Sequence, residues 1–344
     1  MNKESRLANR LPSVARSIMV VLAVLCMIGS VGLANGSVAR AEPLTAVIVL
    51  PDDGKSSIID EIDAAQESIR LYLYLLSDDD VIRALIRAHV RGVDVRVMLE
   101  PLPYGGARTE LETWLRLDTA GVNVRWSPSA FRFSHVKLMI VDSASASIMN
   151  LNMTGAAFTQ NREFALLTTE PDVVREAIEL FDADWNGSPP PDPSLLVVSP
   201  VNSRATLLSL FESATTSIAV YAEVLNDPEI MDALVSAVER GAVVRMMMSE
   251  IAGSSLWYEE PGFLARSGVD VRILDNLYVH AKAIIIDGQV LWIGSQNLTA
   301  NSLDANREVG LITTETVALQ RVMATFETDW QAAAPLDDPT TPQT

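Results

Sequence analysis

The chain carries two copies of one reactive pattern: a histidine, a lysine two residues on, and an aspartate five residues after the lysine. The first copy is His135, Lys137 and Asp142, and the second is His280, Lys282 and Asp287. The sequence has 3 histidines, and two of them stand at these matched places. Read as strands, both stretches put the histidine and lysine on one face and the aspartate on the other, because strand side chains alternate with period two. A histidine beside a lysine suits an anion. The imidazole attacks or moves a proton, while the ammonium supplies a fixed positive charge. Asp142 and Asp287 complete the catalytic pattern, but their parity points to support of the site or of the fold.

Two further residues recur behind each copy. Asn152 and Asn297 stand ten positions after the aspartates, each followed two on by a threonine. Asparagine donates hydrogen bonds to anionic oxygens without adding charge. Asn161-Arg162-Glu163 and Asn306-Arg307-Glu308 follow. A carboxylate facing a histidine orients its ring and stabilises the imidazolium.

These matches lie in a duplicated frame. Ser68-Ile69-Arg70-Leu71-Tyr72 corresponds to Ser217-Ile218-Ala219-Val220-Tyr221, and Arg91-Gly92 to Arg240-Gly241, both at a spacing of 149. From His135/His280 to Trp185/Trp330 the spacing is 145. A fixed spacing over this many positions is an internal duplication.

The elements around the pattern alternate. Apolar strand-like runs are expected at 46–50, 69–75, 93–99 and 122–126, and helices at 56–65, 81–90, 109–120 and 172–185. Asp78-Asp79-Asp80 supplies N-cap chemistry for the second helix. The order restarts with a strand at 196–199 and a helix at 205–214. Between the two series, Ser188-Pro189-Pro190-Pro191-Asp192-Pro193 reads as a linker. Such alternation predicts an α/β fold with a mixed sheet flanked by helices, in two tandem halves packed about a pseudo-twofold axis. The expected bounds are 42–187 for the first half, 188–194 for the linker, 195–331 for the second half and 332–344 for a disordered tail.

Residues 1–41 read as an export signal. Lys3, Arg6, Arg10 and Arg16 precede an apolar run, and Ala39-Arg40-Ala41 fits a cleavage site. An uncleaved membrane anchor is the alternative, since about 18 apolar residues are just enough to span a bilayer. The only cysteine, Cys26, lies in that run, so the mature chain has no disulfide and no thiolate metal site. The formal net charge is −18. Nucleic-acid binders usually show a basic face, so this balance counts against such a substrate. His89 stands alone in a helix and reads as a surface or packing residue. Trp185 and Trp330 read as core. Tyr104, Phe131, Phe133, Trp257, Tyr258 and Tyr278 precede the reactive stretches on loops, where they can line a pocket or simply pack.

Taken together, the chain resembles a two-motif member of the phospholipase D superfamily over about residues 44–330. The mark of that superfamily is H-x-K-x4-D followed by G-S-x-N and later N-x-E. The second copy reads His280/Lys282/Asp287, Gly294-Ser295-Gln296-Asn297 and Glu308. The first reads His135/Lys137/Asp142, Asn152 and Glu163, with Met149-Asn150 in place of Gly-Ser. The resemblance implies that His135 attacks phosphorus to give a phosphohistidine, and that His280 protonates the leaving alkoxide and then activates the acceptor. It implies that Lys137, Lys282, Asn152, Asn297 and Ser295 bind the phosphoryl oxygens. Glu308 would orient His135 and Glu163 would orient His280, with Asp142 and Asp287 behind them. No metal or other cofactor is implied. The expected activity is that of a secreted, monomeric phosphodiesterase in transient contact with a membrane surface. It would release phosphatidic acid and a headgroup alcohol, with water or an alcohol as acceptor. The alternatives are a secreted metal-independent nuclease, a cardiolipin-synthase-like phosphatidyltransferase, and a binding protein without activity.

Overall fold

The computed structural model describes residues 45–104, 107–189, 192–250 and 259–336. The expected leader, Cys26, Trp257 and Tyr258 lie outside them. The first half runs β1 (Thr45–Leu50), α1 (Ser56–Ala64), β2 (Ser68–Leu73), α2 (Asp79–Val90), β3 (Asp94–Leu99), α3 (Ala107–Thr119) and β4 (Asn123–Trp126). It continues through β5 (Lys137–Val141), β6 (Ser145–Met149), α4 (Gly155–Thr159), β7 (Asn161–Thr168) and α5 (Pro171–Asn186). The second half opens with β8 (Leu196–Ser199), α6 (Ser203–Glu212), β9 (Ser217–Tyr221), α7 (Pro228–Glu239), β10 (Val243–Met248), α8 (Glu259–Arg266) and β11 (Asp270–Ile273). It ends with β12 (Tyr278–Val279), β13 (Ala283–Ile286), β14 (Val290–Gly294), α9 (Ala300–Asp304), β15 (Glu308–Thr313), α10 (Thr316–Ala332) and β16 (Ala334–Pro335).

Local chemistry sets these boundaries. Asp78 accepts hydrogen bonds from the N–H groups of Asp80 and Val81 and so caps α2; Asp227 accepts one from Ile230 and caps α7. Gly92 and Gly241 close the turns after those helices at φ 96° and 93°, a conformation open mainly to glycine.

The two sheets share one strand order. The first is β1-β7-β6-β5-β2-β3-β4, and the second contains β8-β15-β14-β13-β9-β10-β11. Along each of these paths, the three strands at one side are parallel and the rest antiparallel, which gives the mixed sheet. The inner faces of both sheets, with α5 and α10, form one central core that includes Tyr72, Phe164, Phe181, Tyr221, Phe326 and Trp330. The outer face of each sheet is covered by its own helices.

Three expectations need correction. Strands β7 and β15 went unread in the sequence, because near-continuous apolar runs such as Glu163–Thr168 lack alternation when both faces are buried. The strand expected from His280 onward begins at Ala283. The tail is not disordered from residue 332: Ala334–Pro335 pairs with Arg272 and Ile273, and Leu336 N–H donates to Val271.

Each half also lends a segment to the other. Tyr278 and Val279 pair in parallel with Asn161 and Arg162, so β12 adds to the first sheet. Ser134 forms the matching bridge with Arg307. Two buried ion pairs fasten the same seam. Arg162 meets Asp329 at 2.7 and 2.9 Å, and Arg307 meets Asp184 with Nη2 3.0 Å from Oδ1. Removing Asp329 leaves the buried Arg162 guanidinium with only the exposed Asp52 carboxylate, 3.1 Å from Nη1, and the Leu50 carbonyl oxygen. Asp329→Ala is therefore expected to destabilise the fold by about 3–5 kcal/mol, measured by urea unfolding.

Candidate active site

The segment exchange sets the histidines in place. Tyr278 and Val279 lie on the first sheet and Ala283 begins a strand of the second, so His280 occupies the bend between the two. His135 N–H donates to Arg307 carbonyl oxygen, and Arg307 N–H donates to Phe133. The residue before each histidine is held by a polar side chain from the end of a neighbouring strand. Glu100 accepts from Ser134 N–H at 2.7 Å, and Ser249 Oγ accepts from Val279 N–H at 2.7 Å.

Each histidine therefore faces the other half's carboxylate. His135 Nδ1 is 2.8 Å from Glu308 Oε2, and His280 Nδ1 is 2.8 Å from Glu163 Oε2. Both glutamates are fully buried. Asn306 Nδ2 donates to the second oxygen of Glu308, and Asn161 Nδ2 to that of Glu163, each at 3.0 Å. With Nδ1 committed, Nε2 is the ring atom left for chemistry.

The lysines stand alongside. Lys137 Nζ donates to His135 carbonyl oxygen at 3.1 Å, and Lys282 Nζ to that of His280 at 2.6 Å. Burial pushes the Lys137 ammonium down to about 7; Glu308 opposes this and Lys282 adds to it. Burial also lowers His135 from its ordinary value, against the pull of Glu308. Asn152 and Asn297 stand between β6 and α4 and between β14 and α9, half-buried, each with a buried Oδ1 that has no hydrogen-bond partner.

The aspartates do not join this group. Asp142 and Asp287 sit at φ 52° in the turns at the far ends of β5 and β13. Five residues of extended chain separate each from its lysine, about 17 Å at 3.3 Å per residue. Asp142 accepts from the N–H groups of Gln66, Glu67 and Ser68, and Asp287 from those of Thr215, Thr216 and Ser217. Their inclusion in the catalytic set is corrected to fastening the loops that feed β2 and β9.

The departure at Met149-Asn150 is compensated within the sheet. Ser295 is fully buried, and its Oγ accepts from Val309 N–H at 3.0 Å, which removes it from the open part of the site. Asn150 Oδ1 accepts from Phe164 N–H at 2.7 Å, the matching amide of the first half. The neighbouring volumes also exchange. Trp292 fills space that a Cβ on Gly294 or Gly310 would enter at 2.6 and 2.5 Å. The first half has Ser147, Met149 and Ala165 at those places.

Four neighbours of the site escaped sequence reading: Glu100, Ser249, Tyr74 and Glu223. Tyr74 lies edge-on to His135 with ring centroids 4.5 Å apart. Glu223 Oε2 is 2.5 Å from Lys282 Nζ. The spacing of 149 pairs Tyr74 with Glu223, and that mismatch in a duplicated frame was the available signal. Phe133 packs against Tyr74, Phe131 lies under the Arg307 guanidinium, and Tyr104 is exposed with its N–H on the Tyr74 hydroxyl. Trp185 and Trp330 are core residues, and His89 packs beside Gly121.

Known proteins share this arrangement. A family profile described as "Cardiolipin synthase, PLD-like domain" matches residues 58–185 and again 207–330. The chain belongs to this phospholipase D-like family. It is 24% identical to the major cardiolipin synthase ClsA of Bacillus subtilis, over 86% of this chain and 70% of that protein. A cardiolipin synthase of Oceanobacillus iheyensis is 24% identical over 79% of this chain and 66% of its own length. The fold matches the phosphatidylserine synthase of Haemophilus influenzae with a TM-score of 0.67 at 14% identity, covering 88% and 89% of the two chains. The chain is an enzyme of the phospholipase D superfamily. The expectation of a secreted, lipid-degrading hydrolase is overturned. The relatives that match most of this phospholipase D-like chain are named as cardiolipin synthases and not as secreted hydrolases. Among the described residues, no helix is long and apolar enough to cross a membrane.

The depressed Lys137 gives a pH signature. Below about 7 the ammonium is charged, and above it the charge is lost. Dimethyl phosphate, whose single negative charge is constant over this range, is expected to bind up to about tenfold more weakly at pH 8 than at pH 6, read by calorimetry. For the Gly-Ser departure, Asn150→Ala leaves the Phe164 amide without its partner and is expected to cost about 1–3 kcal/mol. Asn150→Ser, which copies Ser295, is expected to recover most of that in thermal unfolding.

Proposed function

We propose that this enzyme is a phosphatidyltransferase of the cardiolipin synthase kind, moving a phosphatidyl group from one phospholipid to the alcohol of a second at a membrane surface. The reading is carried by one observation: the match to proteins named cardiolipin synthase runs through both halves, which jointly hold the two-histidine site.

The His135 Nε2 lone pair attacks phosphorus, and the bond from phosphorus to the donor's leaving oxygen breaks. That oxygen takes a proton from His280 Nε2 and departs as an alcohol, leaving a phosphohistidine. The acceptor hydroxyl then gives its proton to His280 while its oxygen attacks phosphorus, and the P–N bond returns its electron pair to His135. Lys137 and Lys282, with Asn152 and Asn297, hold the phosphoryl oxygens as charge builds on them. Glu308 and Glu163 fix the two rings and offset the positive charge that each ring gains in turn.

The test is incubation with phosphatidylglycerol vesicles and analysis of the lipids by mass spectrometry. Cardiolipin and free glycerol in equal amounts are the expected products. Phosphatidic acid as the sole product, or no product, would overturn the assignment. His135→Ala and His280→Ala are each expected to lower turnover by at least about 1000-fold with an unchanged fold by circular dichroism.

A further inference from the structure

The pseudo-symmetry of the site fails at a position that touches the histidine rings and lysines themselves. Two residues past the matched Tyr72 and Tyr221 stand Tyr74 and Glu223. In the first half the Tyr74 ring lies against His135, and Lys137 Nζ is 5.1 Å from its centroid. In the second half Glu223 Oε2 lies 2.5 Å from Lys282 Nζ and 3.6 Å from His280 Nε2. His280 therefore has a carboxylate at both ring nitrogens. Among the described residues, His135 has one at Nδ1 only.

We infer that Glu223 is the positioning residue that makes the two histidines unequal. Its carboxylate stabilises the protonated Nε2 of His280, so His280 donates to the leaving oxygen while His135 remains the neutral nucleophile. The inference rests on the two-histidine chemistry of the preceding section and supplies what a symmetric pair of motifs lacks, a reason for the division of labour.

The surrounding charges agree with it. Around His280 stand Glu163, Lys282 and Tyr278, whose hydroxyl is 3.5 Å from Glu223 Oε1; His135, Lys137 and Glu308 face them from across the site. Burial alone would raise the Glu223 carboxyl, but His280 and then Lys282 hold it well below the usual carboxylate range. It therefore stays ionised through the neutral range. His135, by contrast, is lowered by burial. A carboxylate serving only to neutralise Lys282 would not alter how turnover depends on the leaving group.

That dependence is the experiment. A series of aryl phosphodiesters with leaving phenols of graded acidity is turned over by the wild type and by Glu223→Gln. Weakly acidic phenols need the donated proton, whereas p-nitrophenol hardly does. The exchange is expected to lower kcat on the poorest leaving group on the order of 100-fold, and on bis(p-nitrophenyl) phosphate by no more than about twofold. An equal loss across the series overturns the inference. Tyr74→Glu is a second variant that does not depend on Glu223→Gln folding. It sets a carboxylate beside His135 and is expected to move the acidic limb to higher pH by about one unit; an unmoved acidic limb also overturns the inference. None of these substrates is a lipid. Inactivity on phosphatidylglycerol would therefore sink the transferase reading while leaving this comparison intact. Inactivity of the wild type on the whole aryl series would overturn the inference together with the two-histidine chemistry.

Discussion

Everything in this molecule depends on a hydrogen bond made twice across one seam: a histidine of one half to a buried glutamate of the other. An isolated buried carboxylate is costly, so Glu163 and Glu308 are tolerable only because an imidazole and an asparagine amide occupy their oxygens. The partner histidines arrive through segments that cross from one sheet to the other. The site is therefore a property of the packed pair of halves, and duplication has produced one centre per chain.

The reactive pattern was legible because chemistry is fixed by residue type and spacing. Both His-Lys pairs and both Asn-x-Glu runs stood out, and the shared spacing declared the duplication before any fold was known. The α/β class followed from alternation. What was not legible depends on contacts between residues far apart in sequence. Nothing local says that Tyr278 and Val279 pair with Asn161 and Arg162, so His280 looked like part of a strand instead of the bend between two sheets. The aspartates come with the motif, and strand parity already turned them from the reacting face without saying what they hold. Only the hairpins show that their carboxylates close a ring of backbone amides at the other end of the strands.

The halves have diverged in side chains while keeping one backbone course. A tryptophan and two glycines in one sheet correspond to a serine, a methionine and an alanine in the other, an exchange of volume between neighbours. Serine and asparagine reach the same strand amide by different lengths of side chain. Packing tolerates such exchanges where the summed volume is kept. The Tyr74/Glu223 difference is of another kind, because it changes charge beside a titrating ring.

The short run Asn-Arg-Glu has a consequence of its own. In β7 the asparagine and glutamate point into the centre, while the intervening arginine points the other way, to Asp329. A slip of one residue in this strand would carry the arginine into the centre and drive the glutamate against Asp329, two carboxylates forced together out of water. Strand register is normally enforced by which apolar side chains reach the core. Here it is enforced by charge as well, so a misaligned chain is rejected at the step that would have built a defective catalyst.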